Sequence, residues 1–314
     1  MSKKTILELL DETPLVGDGG CISEILEERH DTVNQEVMSV IEKRGIFKES
    51  KSINTRLVSE DFRKLFVEFV DSGIDVIQTF IKCSEHNSEH IKTDCRLSSE
   101  VVKEGNLLLA GGLSQTSVFL DNRDEDRVKE IFRKQCEIFK NNNVDFMIIE
   151  YFNYIEECEW AIETVKEIID CPVMSILSVD ENGDLDGIPS EVCSVRMVQS
   201  GADIIGVNCC NYTPKQGLSF LAKMKHGLEE NGILENVHLS FHPLVHVVSN
   251  NDEEDEMSSG GNCVNFKGSL CTIEEIRELV KDAYNMGVRY IGGCYGFEPS
   301  HFKVLSEELK SISA

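Results

Sequence analysis

Arg289-Tyr290-Ile291-Gly292-Gly293-Cys294-Tyr295-Gly296-Phe297-Glu298-Pro299 is a short apolar run that ends in a thiol and passes through a loop into a helical pattern. Ile205-Gly206-Val207-Asn208-Cys209-Cys210 has the same arrangement. An apolar run without polar alternation is the mark of a strand buried on both faces. Each segment therefore predicts one strand of a parallel sheet, with its cysteine at the C-terminal tip. Strand tips are where barrel enzymes keep their chemistry.

Six further runs of this kind stand along the chain: Leu15 to Gly17, Ile74 to Phe80, Leu107 to Leu113, Phe146 to Phe152, Val173 to Val179 and Val237 to Phe241. With Ile204 to Asn208 and Tyr290 to Gly293 they make eight strands. Helical periodicity fills the spaces between them, over Glu60 to Val70, Arg127 to Lys140, Ile155 to Ile169, Glu191 to Gln199, Leu218 to Glu230 and Ile273 to Asn285. Thr272-Ile273-Glu274-Glu275 has the pattern of a capped helix start. Eight alternations predict an α/β fold, a (β/α)8 TIM barrel forming a single domain over residues 1–314. A doubly wound open sheet uses the same alternation, but Gly17-Asp18-Gly19-Gly20 after the first strand lacks the dinucleotide-binding glycine spacing. Residues 23–41 read as an insertion after that strand. Residues 249–263, with Asp252-Glu253-Glu254-Asp255-Glu256, read as a solvated acidic loop.

Charge and cysteine usage narrow the function. The chain carries 56 acidic against 31 basic side chains, a net charge of −25. Such a surface repels a phosphate backbone and an anionic lipid surface, which argues against nucleic acid and membrane as partners. No apolar run approaches the roughly 18 residues of a membrane span. Met1-Ser2-Lys3-Lys4 leads only into the brief Ile6 to Leu10 stretch, without a signal h-region. These features predict a cytoplasmic protein whose 12 cysteines are reduced.

Cys209 and Cys294, at the tips of two strands, are candidates to share a metal ion, since zinc favours thiolate sulfur and its catalytic sites use three protein ligands. Two thiols are also compatible with plain burial. His238, His242 and His246 recur at every fourth position, but they fall on a strand and the loop after it, and Pro243 interrupts any helix. They are not assigned to a metal. Asn208 reads as a residue that orders its loop by hydrogen bonding.

A wider set of motifs carries a family resemblance. It comprises Thr5-Ile6-Leu7-Glu8, Gly17-Asp18-Gly19-Gly20, Gln78-Thr79-Phe80, Ala110-Gly111-Gly112-Leu113-Ser114-Gln115-Thr116, Val144-Asp145-Phe146, Glu150-Tyr151-Phe152 and Gly183-Asp184-Leu185-Asp186-Gly187. Gly201 to Cys209 and Ala283 to Cys294 complete it. In these residues the chain resembles the homocysteine S-methyltransferases, the betaine type most closely, in order and over nearly its whole length. The resemblance implies a (β/α)8 barrel in which zinc activates the thiol of homocysteine, which then takes a methyl group from a cationic donor to give methionine. By matching positions, Asp18 and Glu150 would hold the substrate amino group. The N–H groups of Gly19 and Gly20 would receive its carboxylate, and Tyr151 matches an aromatic residue of the donor site.

Departures from the family pattern are concentrated at the metal and the donor. The family's third zinc ligand is a cysteine directly after the one matching Cys294, and Tyr295 stands there. Cys83 stands where the betaine type has a tyrosine that can reach the zinc. Cysteine and tyrosine have thus exchanged places. One reading is a rearranged site of Cys83, Cys209 and Cys294 with Tyr295 as a displaceable oxygen ligand; the other is a metal-free pocket walled by Tyr295. Cys210 is a weaker ligand candidate, because neighbouring residues at a strand end point in opposite directions. Aromatic places of the donor cage are taken by Cys21 and Lys82, and the only tryptophan, Trp160, lies on a helical pattern. Cation–π recognition of betaine is thereby weakened. The chain stops shortly after the helix containing His301 to Leu309, without the family's C-terminal assembly arm, which predicts a monomer or an atypical dimer. Two functions follow: homocysteine S-methylation with an unidentified donor, or an inactive family member kept for ligand binding, sensing or a structural role.

Overall fold

The structure, a computed structural model, describes residues 3–19, 64–79, 88–208, 212–247, 269–294 and 296–313. In chain order its elements begin with α1 (Ile6–Glu12), β1 (Leu15–Val16), α2 (residues 64–71), β2 (Val76–Gln78), α3 (Ser88–Gly105) and β3 (Leu108–Leu113). Two helices follow β3, α4 (Ser117–Asn122) and α5 (Glu125–Asn141). Next come β4 (Phe146–Phe152), α6 (Ile155–Ile168), β5 (Val173–Leu177), α7 (Ser190–Gln199), β6 (Ile204–Val207), α8 (Pro214–Glu230) and β7 (His238–Phe241). Short strands β8 (His246–Val247) and β9 (Ser269–Leu270) pair antiparallel. The chain then forms α9 (Ile273–Met286), β10 (Val288–Ile291) and α10 (Pro299–Ser313).

Eight strands pair in the order β1-β10-β7-β6-β5-β4-β3-β2, every neighbour parallel. A parallel bridge between Gly17 and Val76 brings the two ends of this order together and closes the barrel. The fold expected from the sequence is therefore present. Every strand foreseen is found, β4 with the same bounds and the others with ends shifted by at most two residues. The helices α1, α3 and α4 and the β8–β9 pair were not foreseen. The proposed insertion at 23–41 and the acidic loop at 249–263 lie outside the described residues.

Side-chain alternation along the strands sorts the core into two layers. Leu15, Val76, Leu108, Ala110, Phe146, Ile148, Met174, Ile176, Ile204 and Tyr290 fill the barrel interior. Val16, Ile77, Leu109, Met147, Ile149, Ile205, Leu239 and Ile291 face outward into the helix layer. The brief Ile6 to Leu10 stretch is a plug: Ile6 and Leu10 of α1 pack into the interior cluster from the N-terminal end. Its start is fixed by a capping box between Thr5 and Glu8. Thr272 and Glu275 form the capping box read from the sequence at the start of α9.

A repeated aspartate ties alternate strands at that same end. Asp75, Asp145 and Asp203, each one residue ahead of β2, β4 and β6, accept the backbone N–H of Val16, Leu109 and Val173 at 2.9, 2.8 and 2.8 Å. Each satisfies a backbone donor of the preceding strand where the ladder begins. The N-terminal face is thus given over to stability, and the C-terminal face is left for chemistry.

Candidate active site

Above the apolar layer the inward positions become polar. On β4 the inward series Phe146, Ile148 continues to Glu150; on β2 Val76 is followed by Gln78; on β7 Ser240 and His242 occupy the face opposite Leu239 and Phe241. Asp18, Gln78, Glu150, His242 and Tyr290 are each at most 1% exposed. Their hydrogen bonds converge on Glu150. His242 Nδ1 lies 3.1 Å from Glu150 Oε1, and Gln78 Nε2 donates to Glu150 Oε2 at 3.2 Å. The backbone N–H of Gln78 donates to Asp18 Oδ1 at 2.7 Å, so Gln78 links the two carboxyl groups. The His242 ring stacks on that of Tyr290, with centroids 5.5 Å apart. Burial, reinforced by the charges of Asp18, Glu150 and Asp75, pushes the Tyr290 phenol well above its ordinary range and keeps it protonated.

Glycines make this packing possible. A Cβ on Gly17 would stand 1.7 Å from the Tyr290 hydroxyl, and one on Gly292 would stand 2.7 Å from the His242 ring. Gly19 adopts φ +60°, and a Cβ there would lie 1.9 Å from the carbonyl oxygen of Gly293. Only glycine allows β1's trailing loop to lie this close to β10.

Directly after Glu150 the backbone is strained. Tyr151 has φ +63°, a left-handed conformation that costs a non-glycine residue about 1–3 kcal/mol. It coincides with a register shift between Ile149 and Phe152 on the β4–β5 edge. Strict alternation would send Tyr151 outward. The irregularity instead brings its hydroxyl to 3.6 Å from the sulfur of Cys294. Cys294 is fully buried and disulfide-bonded, so the tyrosyl hydroxyl is the donor of this contact. The other described cysteines, Cys95, Cys136, Cys158, Cys171, Cys193 and Cys271, are free thiols. Cys294 thus corrects the expectation that all the cysteines are reduced. Burial pushes the thiols of Cys136, Cys158 and Cys193 up to about 12, as expected of inert core residues.

A family model described as homocysteine S-methyltransferase matches residues 15–309 of this chain. The chain belongs to the homocysteine S-methyltransferase family. It is 36% identical to S-methylmethionine–homocysteine S-methyltransferase of Pongo abelii, an alignment spanning 98% of this chain and 82% of that protein. Against betaine–homocysteine S-methyltransferase 1 of the same organism the identity is 35%, over 98% of this chain and 75% of the relative. Among solved structures, the homocysteine methyltransferase MmuM of Escherichia coli in its apo form superposes with a TM-score of 0.63. That superposition covers 97% of this chain and 98% of MmuM at 14% identity, a likeness of fold.

Of the site residues expected from the family resemblance, Asp18, Gly19, Glu150, Tyr151 and Cys294 gather at the C-terminal mouth of the barrel. Gly20, Cys83, Cys209 and Tyr295 lie outside the described residues, as do Cys21, Lys82 and Cys210. Among the described residues no three His, Cys, Asp or Glu side chains form a metal cage. The described donor set is one sulfur, Cys294, with the Tyr151 hydroxyl beside it, and does not by itself make a zinc site. Asn208 accepts the Ser178 hydroxyl at 2.7 Å; the loop it was expected to order lies outside the described residues. Trp160 is a packing residue, edge-on to Phe119 at 5.4 Å.

Sequence reasoning missed Gln78 and His242 as members of the site. For His242 the signal was present but read at the wrong period. A helical spacing of four was weighed, whereas the strand period of two puts His238, Ser240 and His242 on one inward face. No helix among the described residues is long and apolar enough to cross a membrane.

Proposed function

We propose that this protein binds L-homocysteine or a closely similar thiol amino acid and transfers a methyl group to its sulfur, giving methionine. The observation that carries this reading is the buried pair Asp18 and Glu150 at the barrel mouth, linked through Gln78. No Lys or Arg pairs with Glu150 among the described residues; its two oxygens are held by a histidine and an amide. A substrate ammonium supplies the counter-charge that a buried carboxylate requires. Gly19 packs its backbone against that of Gly293, and in this reading the N–H groups of Gly19 and Gly20 receive the substrate carboxylate.

These contacts direct the substrate thiol toward Cys294 and Tyr151. With the Cys294 disulfide reduced, zinc held by Cys294 with Cys209 and Cys83, and by Tyr295 as a displaceable oxygen ligand, would supply the positive charge that keeps a bound thiol ionised near neutral pH. In the transfer a sulfur–carbon bond forms to the incoming methyl group while the donor's bond to that carbon breaks. The bonding pair stays with the donor, which departs neutral. The donor must therefore be a sulfonium or quaternary ammonium compound. Betaine is disfavoured, because Cys21 and Lys82 stand at aromatic places of the family's donor cage.

The decisive experiment is incubation of reduced, zinc-loaded protein with L-homocysteine and, separately, S-methylmethionine, S-adenosylmethionine and betaine, with methionine followed by mass spectrometry. Methionine is expected with at least one donor. Its absence with all of them, beside an active control enzyme, would overturn the catalytic reading. Homocysteine binding without turnover would support instead a silent descendant that senses the amino acid.

A further inference from the structure

The hydrogen bond between His242 and Glu150 joins two fully buried side chains from β4 and the tip of β7, which stand three places apart in the barrel order. A carboxylate only accepts, so Nδ1 of His242 carries the proton in this contact. Nε2 is buried and has no hydrogen-bond partner among the described residues. The Tyr290 ring stacks on the imidazole, and Gly292 lies against it. Among the described residues the one hydrogen bond of the imidazole is thus with Glu150.

That engagement completes a two-sided hold. Gln78 fixes Oε2 from β2 and His242 fixes Oε1 from β7, so the plane of the Glu150 carboxyl is set by strands on either side of β4. Each oxygen keeps a further lone pair for a third group. An imidazole N–H holds the carboxylate in one orientation through a single directed hydrogen bond.

Resting on the reading of Glu150 as the ammonium acceptor, we infer that His242 is a positioning residue that makes this pocket select α-amino thiols over thiols lacking the amino group. Substrate recognition then depends on a side chain that need not touch the substrate. Without the Nδ1–H donor, Glu150 Oε1 is left buried and unpaired, and the carboxyl is free to turn away from the ammonium position. The loss falls on ligands that carry an ammonium and spares those that do not.

The test is calorimetric titration of the zinc-loaded protein with L-homocysteine and with 4-mercaptobutyrate, its analogue without the amino group. Three proteins are compared: the native chain, His242→Leu and His242→Asn. Leucine has similar branching without a donor, whereas the asparagine amide can present an N–H where Nδ1 stood. The native protein and His242→Asn should prefer L-homocysteine. His242→Leu should lose about ten- to a hundredfold in L-homocysteine affinity, the worth of a hydrogen bond to a charged group, with 4-mercaptobutyrate unchanged. A folded His242→Leu protein with native preference would overturn the inference, and so would equal losses for both ligands. A native protein that binds neither thiol would bring down the reading of the pocket itself, and the inference with it. Should His242→Leu not fold, ¹⁵N-histidine NMR of the native protein decides. The Nδ1-protonated ring assigned by the His242→Asn spectrum should shift on adding L-homocysteine and stay unmoved by 4-mercaptobutyrate; any other pattern overturns the proposal.

Discussion

The Tyr151 hydroxyl lies 3.6 Å from the sulfur of Cys294, although the two residues belong to strands on opposite sides of the barrel, four places apart in a ring of eight. A side chain from β4 reaches the tip of β10 because the backbone at Tyr151 is left-handed and leaves the ordinary strand alternation. Strain of this kind persists where the surrounding fold over-determines it, which is typical of working sites.

Replacing Tyr151 separates backbone from ring. Asparagine tolerates the left-handed region and valine does not. Tyr151→Val should therefore be less stable than Tyr151→Asn by about 1–2 kcal/mol in urea unfolding. Tyr151→Phe keeps the fold and removes only the hydroxyl contact to Cys294. It should lower kcat/KM about tenfold, with a thermal midpoint within a few degrees of native.

Glu157, on α6, is buried and accepts both the backbone N–H and the hydroxyl of Thr116, the N-cap of α4. Desolvation pushes its carboxyl up to about 7, against 4.5 for the free group. The folded state therefore binds more protons than the unfolded state between these values, and stability falls as pH rises through that window. Glu157→Gln keeps the acceptor oxygen without the charge. In urea titrations at pH 5 and pH 8 it should remove this slope and gain roughly 1–3 kcal/mol over the native protein at the higher pH only.

Two glycines distinguish steric from conformational cost. A Cβ on Gly206 of β6 would sit 2.2 Å from the hydroxyl and 2.3 Å from the carbonyl oxygen of Ser240 on β7, and the backbone atom cannot move aside. At Gly187 φ is +76° but nothing lies within 4 Å. Gly206→Ala should cost about 2–3 kcal/mol or more by overpacking, and Gly187→Ala about 1 kcal/mol by strain alone. Thermal unfolding of both variants checks the ranking.

Metal and substrate are expected to separate genetically. Cys294→Ser, purified without chelator under reducing conditions beside native protein treated in the same way, should hold less than a tenth of the native zinc content by atomic spectrometry. Glu150→Gln should keep native zinc and lose roughly a hundredfold in L-homocysteine affinity, since it removes the charge and leaves the shape. Equal zinc in Cys294→Ser and native protein would exclude this cysteine as a ligand.

The apolar strand runs were readable because burial on both faces leaves no room for polar alternation, so a parallel barrel declares itself in one dimension. Helices were readable where periodicity was strong, as over Ile273 to Asn285, and missed where their role was local. α1 covers only seven residues and is helical because its capped start and two apolar side chains plug the barrel floor. Strand ends were misplaced by a residue or more because hydrogen bonding to the neighbouring strand, not composition, terminates each one.

Cys294 was singled out by its place at a strand tip, and Asp18, Glu150 and Tyr151 by the family resemblance, on motifs that run in order along the chain. Gln78 stood in one of those motifs but was given no role, and His242 was weighed at a helical period and not at that of a strand. What the sequence by itself determined is the layered barrel, the family and the positions that meet at its mouth. These follow from local pattern and residue identity. Only the tertiary structure decided that Glu150 is gripped from both sides by β2 and β7 and that Tyr151 turns across to Cys294. Those contacts join residues 72, 92 and 143 positions apart. Barrel closure and one left-handed backbone bring them together, and neither is a property of any local segment.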